Sequence, residues 1–482
     1  MDELYVRVVG GGEICVPAGS MSAYVLLEQE DWFEKEIAFV RRLLRPGMRA
    51  VDIGANYGTY ALAISHAVGP SGKVWAYEPS SRTARYLRNT IARNGLANVE
   101  LVQAAVCARA GTGRLRLDEL AELNRLGAGG DGEEVPLTTI DSECGSRSWG
   151  RIDFIKIDAE GGELDILLGG EVFFSRQSPI VMFERTAAEG EKEEVQSAFR
   201  ARGYSLFKLI GPDLCLVPVS EGERFDAFDL NLFACKPDQA ERLSAAGLLT
   251  TGCTATSADY SGLGLKLLRR QVFASAFAMK PVALDPAYER ALDAYAVWRE
   301  AERPLIERCG ALFAGARMLE TLAVATSNVA RLSTCARVAH EAGMRSFAAE
   351  CLSRMLDVMK HGPARLDGPF WPAAARYDEI NPGADREIWF LAATLEAYEQ
   401  RRAFSSCFAG SGMLPGLDWL CASPYASPAM ERRRQLMAIH VGRQRRRQSS
   451  PLLNKASAGH LNPQLWDSRG EPADTRSGRA RR

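Results

Sequence analysis

Between residues 49 and about 236, short runs of apolar and β-branched residues alternate with longer amphipathic stretches. Seven runs have the character of strands: 49–54, 73–78, 98–106, 152–158, 179–184, 204–210 and 229–235. Helical stretches fit between them, among them 60–67, 82–94 and 163–168. Strands that alternate with helices form a mostly parallel sheet covered by helices. The pattern predicts a doubly wound α/β fold with a mostly parallel, seven-stranded sheet.

The rest of the chain differs in character from this region. After Pro237 strand patterns vanish, and the sequence predicts helices near 284–301, 303–324, 327–343, 345–360, 387–402 and 430–441. The final stretch is rich in Arg, Ser, Gly and Pro, which is typical of a disordered basic tail. We therefore expect five segments. A lead-in segment (1–48) with a helix over 31–44 precedes the α/β domain (49–240). A linker (241–282), an all-α C-terminal domain (283–441) and the tail (442–482) follow.

Composition limits the classes of partner. The 482 residues carry a formal net charge of -1, which provides no general attraction to nucleic acid or anionic membrane. The 11 cysteines are scattered without metal-ligand spacing, which is typical of free thiols in a reducing compartment. No apolar run approaches the roughly 18 residues of a membrane span. We expect a soluble, cytoplasmic protein with no membrane span.

The stretch VDIGANYGTY ends the first predicted strand in a turn with two glycines, Gly54 and Gly58. Backbone without side chains lets a ligand approach closely, and the following helix offers free N–H groups and a positive dipole end. A tight strand-to-helix turn without a ligand is the alternative. Glu78 closes the second strand 20 residues after Gly58, where a carboxylate meets ribose hydroxyls in a β-α-β unit. Together these features predict an adenosine-bearing ligand.

The glycine spacing indicates which ligand this is. A dinucleotide turn has the pattern G-x-G-x-x-G, whereas this turn is G-x-x-x-G with Asn56 at its centre. Four blocks, VDIGANYGTYAL, WAYEP, IDFIKIDAEGGELDILLGG and PIVMFE, follow in order within residues 49 to about 236. They resemble the FkbM family of S-adenosylmethionine-dependent methyltransferases. The resemblance implies a fold of the class I methyltransferase type.

The resemblance also implies a cofactor, S-adenosyl-L-methionine, and residues that would bind it. The turn would hold its methionine end and Glu78 its ribose. Many class I enzymes have an acid after the third strand for the adenine, but this chain has Ala104-Ala105-Val106-Cys107. We assign that side to Ala105, with backbone atoms or another residue making the contact. The predicted cofactor-binding residues are Asp52, Gly54, Asn56, Tyr57, Gly58, Glu78 and Ala105.

Methyl transfer to an alcohol needs a base for the departing proton. The block IKIDAEGGE places Asp158 and Glu160 at the end of the fourth strand, and Glu184 ends the fifth. We predict that these three side chains are catalytic. Neighbouring carboxylates raise one another's pKa or hold a divalent metal, and the sequence leaves metal binding open. A salt bridge with Arg185 or another arginine is an equal alternative for Glu184.

Other polar residues of this region have structural interpretations. Glu163 fits a helix-start residue, and Lys156 fits either an ion pair with a neighbouring acid or a role in orienting the site. His66 lies in the first helix after the turn, where a surface or core position is expected.

These observations predict an S-adenosylmethionine-dependent O-methyltransferase, and the resemblance suggests a hydroxyl of a glycan or secondary metabolite as acceptor. The alternative is a non-catalytic cofactor-binding scaffold whose helical half recruits a protein partner. We expect that half to serve interaction or oligomerisation. The chain contains no N-P-P-Y or D-P-P-Y tetrad, and we predict no nucleic-acid partner.

Overall fold

The computed structural model describes residues 3–116, 125–126, 132–185, 189–253, 260–277 and 285–466. Its strands are β1 (Glu3–Arg7), β2 (Glu13–Pro17), β3 (Arg49–Ile53), β4 (Lys73–Tyr77), β5 (Val99–Val102), β6 (Ala105–Val106), β7 (Gly111–Arg116), β8 (Arg125–Leu126), β9 (Glu133–Thr138), β10 (Phe154–Ile157), β11 (Ile180–Glu184), β12 (Ser205–Ile210), β13 (Cys215–Pro218) and β14 (Asn231–Cys235). Its α-helices are α1 (Met21–Gln29), α2 (Lys35–Leu43), α3 (Thr59–Val68), α4 (Ser81–Arg93), α5 (Ile140–Ser146), α6 (Glu163–Leu168), α7 (Glu171–Arg176), α8 (Glu189–Ala201), α9 (Pro237–Ala245), α10 (Leu263–Leu268), α11 (Pro286–Arg299), α12 (Leu305–Ala325), α13 (Val329–Glu341), α14 (Arg345–Lys360), α15 (Arg386–Arg401), α16 (Leu414–Ala422) and α17 (Pro428–His440).

The main sheet has the strand order β13-β12-β14-β11-β10-β3-β4-β5. The five strands β11, β10, β3, β4 and β5 are parallel to one another. On the other side of β11, each pairing is antiparallel: β14 with β11, β12 with β14, and β13 with β12. The predicted α/β fold with a mostly parallel sheet and a helical C-terminal region is confirmed. The sheet has eight strands rather than the predicted seven, because Cys215–Pro218 folds back on β12 and adds an edge strand.

The third predicted strand is divided in two. β5 ends at Val102, and the Ala104 N–H donates to the Val102 carbonyl at 3.0 Å, which turns the chain out of the main sheet. Ala105 and Val106 then pair with β9 in a second sheet of order β6-β9-β7-β8. The Gly-rich part of the insertion, 127–131, lies outside the described residues.

Side chains of the central strands alternate between two buried faces. Ala50, Phe154 and Ile180 pack in the core on one face, which includes residues of α2 and α3. Val51, Ile155 and Val181 pack in the core on the other face, which includes residues of α6, α7 and α8. Because both faces are covered, the central strands are mostly apolar, and Asp52 in β3 and Lys156 in β10 are buried exceptions.

The lead-in segment is more structured than the single helix predicted over 31–44. That helix is α2, and it follows the hairpin of β1 and β2 and a further helix, α1. The hairpin is attached to α4, since the Cys15 N–H donates to Thr90 Oγ1 at 3.0 Å and the Glu13 N–H to Asn94 Oδ1 at 2.8 Å.

The helices from α11 onward pack around buried aromatic rings, among them Trp298, Trp371 and Trp389. A buried guanidinium lies in this core: Arg337 contacts Glu341 at 2.6 Å and Asp378 at 2.8 Å. Ile210, Cys215 and Val217, from the edge hairpin of the sheet, belong to the same core. The helical half therefore packs directly on the edge of the sheet.

Buried ion pairs join the lead-in segment to α17. Glu28 at the end of α1 lies 2.7 Å from Arg433, and Glu30 lies 3.3 Å from Arg432. All four side chains are buried. Charges removed from water need partners of this kind, because the loss of hydration is costly.

The predicted disorder of the basic tail is wrong for residues 442–466. The Leu461 and Asn462 N–H groups donate to Glu30, and the Asn462 side chain bonds the backbone of Arg7. Trp466 and Leu453 are buried. Composition suggested solvation, but these polar groups and rings have specific partners in the lead-in segment. Residues 467–482 lie outside the described residues. Among the residues that the structure describes, no helix is long and apolar enough to cross a membrane.

Candidate active site

The turn after β3 has left-handed backbone at three positions. The φ angles are +79° at Gly54, +47° at Asn56 and +94° at Gly58. The N–H groups of Gly54 and Ala55 both donate to the Tyr77 carbonyl, at 3.0 and 2.9 Å. The turn is therefore attached to the end of β4, immediately before Glu78.

The glycines of this turn allow close packing against protein. A Cβ on Gly54 would lie 1.8 Å from the Asp158 carbonyl oxygen, and one on Gly58 would lie 2.5 Å from Leu87 Cδ1. From the sequence alone, the bare backbone predicts room for a ligand. The structure adds another reason, since the end of β10 contacts Gly54 and α4 contacts Gly58.

Glu78 faces this turn from the end of β4. Its Oε2 accepts the Asn56 N–H and its Oε1 the Ser80 N–H, both at 3.0 Å. Burial raises the pKa of Glu78 to about 7, although the two N–H donors oppose the shift. Asn56 Oδ1 is buried without a hydrogen-bond partner among the described residues. A ligand hydroxyl or amine that donates to this oxygen would satisfy it, so the turn fits a ribose-bearing cofactor.

Two predicted cofactor residues have partners within the protein. The Tyr57 ring packs edge-on against Tyr86 at 5.7 Å, and the Tyr57 carbonyl accepts a bond from Thr90. Ala105 pairs with Leu137 in the second sheet, and its side chain packs with Leu115.

The three predicted catalytic carboxylates lie together. Asp158, Glu160 and Glu184 each have a carboxylate oxygen within 4.8 Å of the others, and all three side chains are half-buried. β10 and β11 are adjacent parallel strands with Ile157 opposite Phe183, so the residues that follow meet at one edge. Glu160 has left-handed backbone with φ of +51°, which is uncommon for a residue with a side chain. We call these three residues the carboxylate cluster.

Lys156 connects the carboxylate cluster to Asp52. Its buried Nζ lies 2.7 Å from Asp158 Oδ2, 4.0 Å from Asp52 Oδ1 and 4.9 Å from the centre of the Tyr60 ring. Burial lowers the pKa of Lys156, but Asp158, Asp52 and Glu34 raise it by more, and the net direction is upward. Burial raises the pKa of Asp52 to about 6, against the opposing effect of Lys156.

Glu34 is a residue of this site that the sequence analysis missed. Its carboxylate accepts bonds from Tyr60 Oη at 2.6 Å, Asn231 Nδ2 at 3.1 Å and Trp32 Nε1 at 3.1 Å. Burial, and then the charge of Asp158, raise its pKa. Glu34 precedes α2 in the lead-in segment, where an acid reads as an ordinary helix-start residue. The residues around Glu34 in the sequence give no further indication that it belongs to this site.

The surroundings of Glu184 favour its protonated form. Burial raises its pKa to about 10, and the charges of Asp158, Glu160 and Glu163 contribute in the same direction. No ion pair joins it to Arg185 within the described residues. The Arg185 guanidinium instead lies 4.0 Å from the centre of the Phe225 ring and donates to the Asp229 carbonyl.

The remaining polar residues have structural positions. Glu163 is the first residue of α6, and its buried Oε1 accepts the Ala159 N–H at 3.0 Å, which holds the loop that carries Glu160. His66 lines a separate cavity with Gly10, Gly11 and Arg41. It therefore lies away from the carboxylate cluster.

Residues 52–206 match the family model described as the methyltransferase FkbM domain. The resemblance drawn from the four sequence blocks is confirmed for this part of the chain.

Similarity to individual proteins is more local. The chain is 36% identical over 73 residues to the ubiquinone/menaquinone biosynthesis C-methyltransferase UbiE of Bordetella parapertussis and to that of Bordetella bronchiseptica, which is 15% of this chain and 27% of each relative. The chain thus spans about a quarter of the length of these curated relatives.

Two solved structures match part of the chain at low similarity. The methyltransferase FkbM of Methylobacillus flagellatus KT is 16% identical, with a TM-score of 0.28 over 41% of this chain and 50% of the other. The precorrin-6y C5,15-methyltransferase of Geobacter metallireducens GS-15 is 15% identical, with a TM-score of 0.26 over 42% of this chain and 88% of the other.

The contact between Gly54 and Asp158 predicts that Gly54→Ala destabilises the fold. Left-handed backbone and overlap with the Asp158 carbonyl together cost about 2–5 kcal/mol. Gly203→Ala is the matched control, because Gly203 has φ of +80° but no atom within 4 Å of an added Cβ. It should cost about 1–2 kcal/mol. Urea unfolding of both variants measures the difference, and equal losses would contradict the predicted overlap.

The raised pKa of Glu184, about 10, predicts a pH-dependent effect of Glu184→Gln on stability. Between the ordinary glutamate pKa and this value, the unfolded state has lost the proton that the folded state keeps, so the contribution of Glu184 to stability falls as pH rises. The glutamine side chain of the variant cannot ionise. The melting temperature of Glu184→Gln minus that of the parent should therefore increase from pH 5 to pH 8. The exposed Glu241→Gln serves as control and should show no such trend; a pH-independent difference for Glu184→Gln would mean that Glu184 is ionised in the folded protein.

Proposed function

We propose that the α/β unit, residues 49–240, binds S-adenosyl-L-methionine and transfers its methyl group to a hydroxyl. The observation that carries the proposal is the contact between the glycine turn and the carboxylate cluster. Gly54 touches the backbone of Asp158, while Glu78 and the unsatisfied Asn56 Oδ1 lie on the same turn. A cofactor site and a proton-accepting site are therefore neighbours at one sheet edge. Ligands of parallel sheets bind at this edge, and the family match covers it.

The residues of the turn would hold the cofactor, which supplies an electrophilic methyl group on a sulfonium when bound. Glu78 has both carboxylate oxygens beside the turn, and each keeps a lone pair for a ribose hydroxyl. Asn56 Oδ1 can accept one further donor. Gly54, Tyr57 and Gly58 belong to the turn and Asp52 to the strand before it, and Ala105, in the second sheet, would serve the adenine side of the cofactor.

The carboxylate cluster would orient an acceptor hydroxyl and take its proton. Lys156 lies 2.7 Å from Asp158 and places a cation beside that carboxylate. The pKa of Glu184 is raised and its side chain interacts with Asp158, so it fits a hydrogen-bond donor within the cluster better than the base. Asp158 and Glu160 are the two candidates for the base, and the proton of the hydroxyl would pass to one of them as the new C–O bond forms.

The acceptor class we propose is a hydroxylated glycan or secondary metabolite. The support is the resemblance to the FkbM family together with the cluster of acceptor oxygens, which suits hydroxyl donors. Oxygen atoms at this spacing also suit a divalent cation. Activity assays should therefore be run in parallel with EDTA and with Mg²⁺.

Cofactor binding predicts that Glu78→Gln weakens affinity for S-adenosyl-L-methionine and S-adenosylhomocysteine by about tenfold or more, equivalent to about 1.4 kcal/mol. The amide nitrogen that replaces one carboxylate oxygen cannot accept a hydrogen bond from ribose. The control is Glu133→Gln, because Glu133 accepts the Ser81 N–H at the start of the same helix, α4. Calorimetric titration measures both variants. Absence of binding to the parent protein, or equal binding by Glu78→Gln, would overturn the assignment.

Carboxylate base catalysis predicts that Asp158→Asn lowers kcat by about 10²–10⁴ while the affinity for the cofactor changes little. Asn cannot take the acceptor proton and loses the ion pair with Lys156. Asp165→Asn is the control, since Asp165 is exposed on the adjacent α6. The acceptor is first identified by a mass-shift screen of glycan and metabolite extracts. A parent protein that binds the cofactor but methylates no extract would favour the scaffold alternative.

A further inference from the structure

Three cysteines meet where the edge of the sheet contacts the helical half. Cys215 Sγ lies 3.9 Å from Cys309 Sγ, and both side chains are buried. Cys309 also interacts with the thiol of Cys253. Among the eleven cysteines, all of which the structure describes, Cys253 is the one that is exposed. We call these three residues the thiol cluster.

The thiol cluster joins three separate segments. Cys215 begins the edge strand β13, and Cys309 lies in α12 of the helical half. Cys253 follows a short run that is bonded to the edge strand, since the Thr250 N–H donates to the Leu216 carbonyl at 2.9 Å. Close by, Arg308 contacts Asp213 at 2.5 Å, which fixes α12 against the edge hairpin. Folding itself therefore brings the three thiols together.

Cys253 and Cys309, whose thiols interact, have different environments. The hydrogen bond from Cys309 lowers the pKa of Cys253, and Lys208 acts in the same direction, while partial burial and Glu223 oppose them. Lys208 and Glu223 form an ion pair of 2.6 Å. The pKa of Cys309 is raised, chiefly because both neighbouring thiols interact with it. An accessible cysteine with thiolate character beside a second thiol is the arrangement of oxidation-sensitive cysteine pairs.

We propose that the thiol cluster is an oxidative modification site for hydrogen peroxide, in which Cys253 is the cysteine attacked and Cys309 the resolving cysteine. The Cys253 thiolate takes one oxygen from the peroxide and becomes a sulfenic acid, and the other oxygen leaves as hydroxide, which is protonated to water. Cys309 then attacks the sulfenic sulfur. An S–S bond forms, the S–O bond breaks and a second water leaves. Two thiols are oxidised to one disulfide while the peroxide is reduced to two waters.

The position of Cys215 allows the disulfide to move inward. Its thiolate can attack Cys309 in the Cys253–Cys309 bond, which forms Cys215–Cys309 and releases the Cys253 thiol. A disulfide needs the sulfurs about 2.0 Å apart, and the separation of 3.9 Å between Cys215 and Cys309 leaves a short movement. The product would bond the sheet edge covalently to α12. This site is independent of cofactor binding.

The test uses the full chain, reduced and freed of thiols, then treated with hydrogen peroxide. Remaining thiols are alkylated at successive times, and peptides are identified by mass spectrometry. We expect Cys253 to react at least about tenfold faster than the partly buried Cys144, Cys407 and Cys421, and linked peptides to contain Cys309 with Cys253 or with Cys215. Reaction of Cys253 at the rate of these three cysteines would overturn the proposal, as would its conversion to sulfinic acid without any link to Cys309.

Variants separate the attacked cysteine from the others. Cys253→Ser should fold as the parent does, because its side chain is exposed, and should lose rapid formation of every disulfide that contains Cys309. Cys407→Ser is the matched control and should retain it. Formation of the Cys215–Cys309 disulfide at the parent's rate in Cys253→Ser would show that Cys253 does not start the reaction, and the proposal would fall.

Discussion

The buried ammonium of Lys156 is the interaction on which the acidic edge of the sheet depends. It lies beside Asp158 and Asp52, and the charge of Glu34 acts on it as well. An isolated ammonium at this depth would lose its proton, and isolated carboxylates would gain one. Burial opposes the charge of Lys156, but Asp158, Asp52 and Glu34 keep its pKa above the ordinary value. The arrangement explains how several acids occupy one small volume without disrupting the fold.

The acids at this edge have different surroundings. Asp158 contacts the Lys156 ammonium, whereas Glu184, one strand away, is buried beside other carboxylates. Burial first, and then the charges of Asp158, Glu160 and Glu163, raise the pKa of Glu184 to about 10. Sites that handle protons commonly place carboxylic acids of similar chemistry in different environments.

The sequence was informative where the relevant signal is local. Alternation of apolar runs and helical stretches predicted the strands of the main sheet, and the residues at strand ends predicted that Glu78 would face the turn and that Asp158, Glu160 and Glu184 would meet.

Signals that depend on a distant partner were not visible in the sequence. Glu34 reads as the start of a helix, and only the folded chain shows Tyr60 and Asn231 donating to it. Gly54 and Gly58 predicted a turn that leaves room for a ligand. The sequence does not reveal that Asp158 and Leu87 occupy the space where a Cβ of these glycines would lie. In the tail, the average composition concealed a few residues, such as Asn462 and Trp466, that have buried partners.

The buried pairs of Glu28 with Arg433 and of Glu30 with Arg432 bear on how such a protein can be divided. Each pair takes its acid from the start of the chain and its base from near the end. A fragment that stopped after the sheet would leave two carboxylates without their counterions, and a helical fragment would leave two guanidinium groups in the same condition. Exchange of either half between related proteins by recombination would therefore succeed only when the first thirty or so residues travel together with α17.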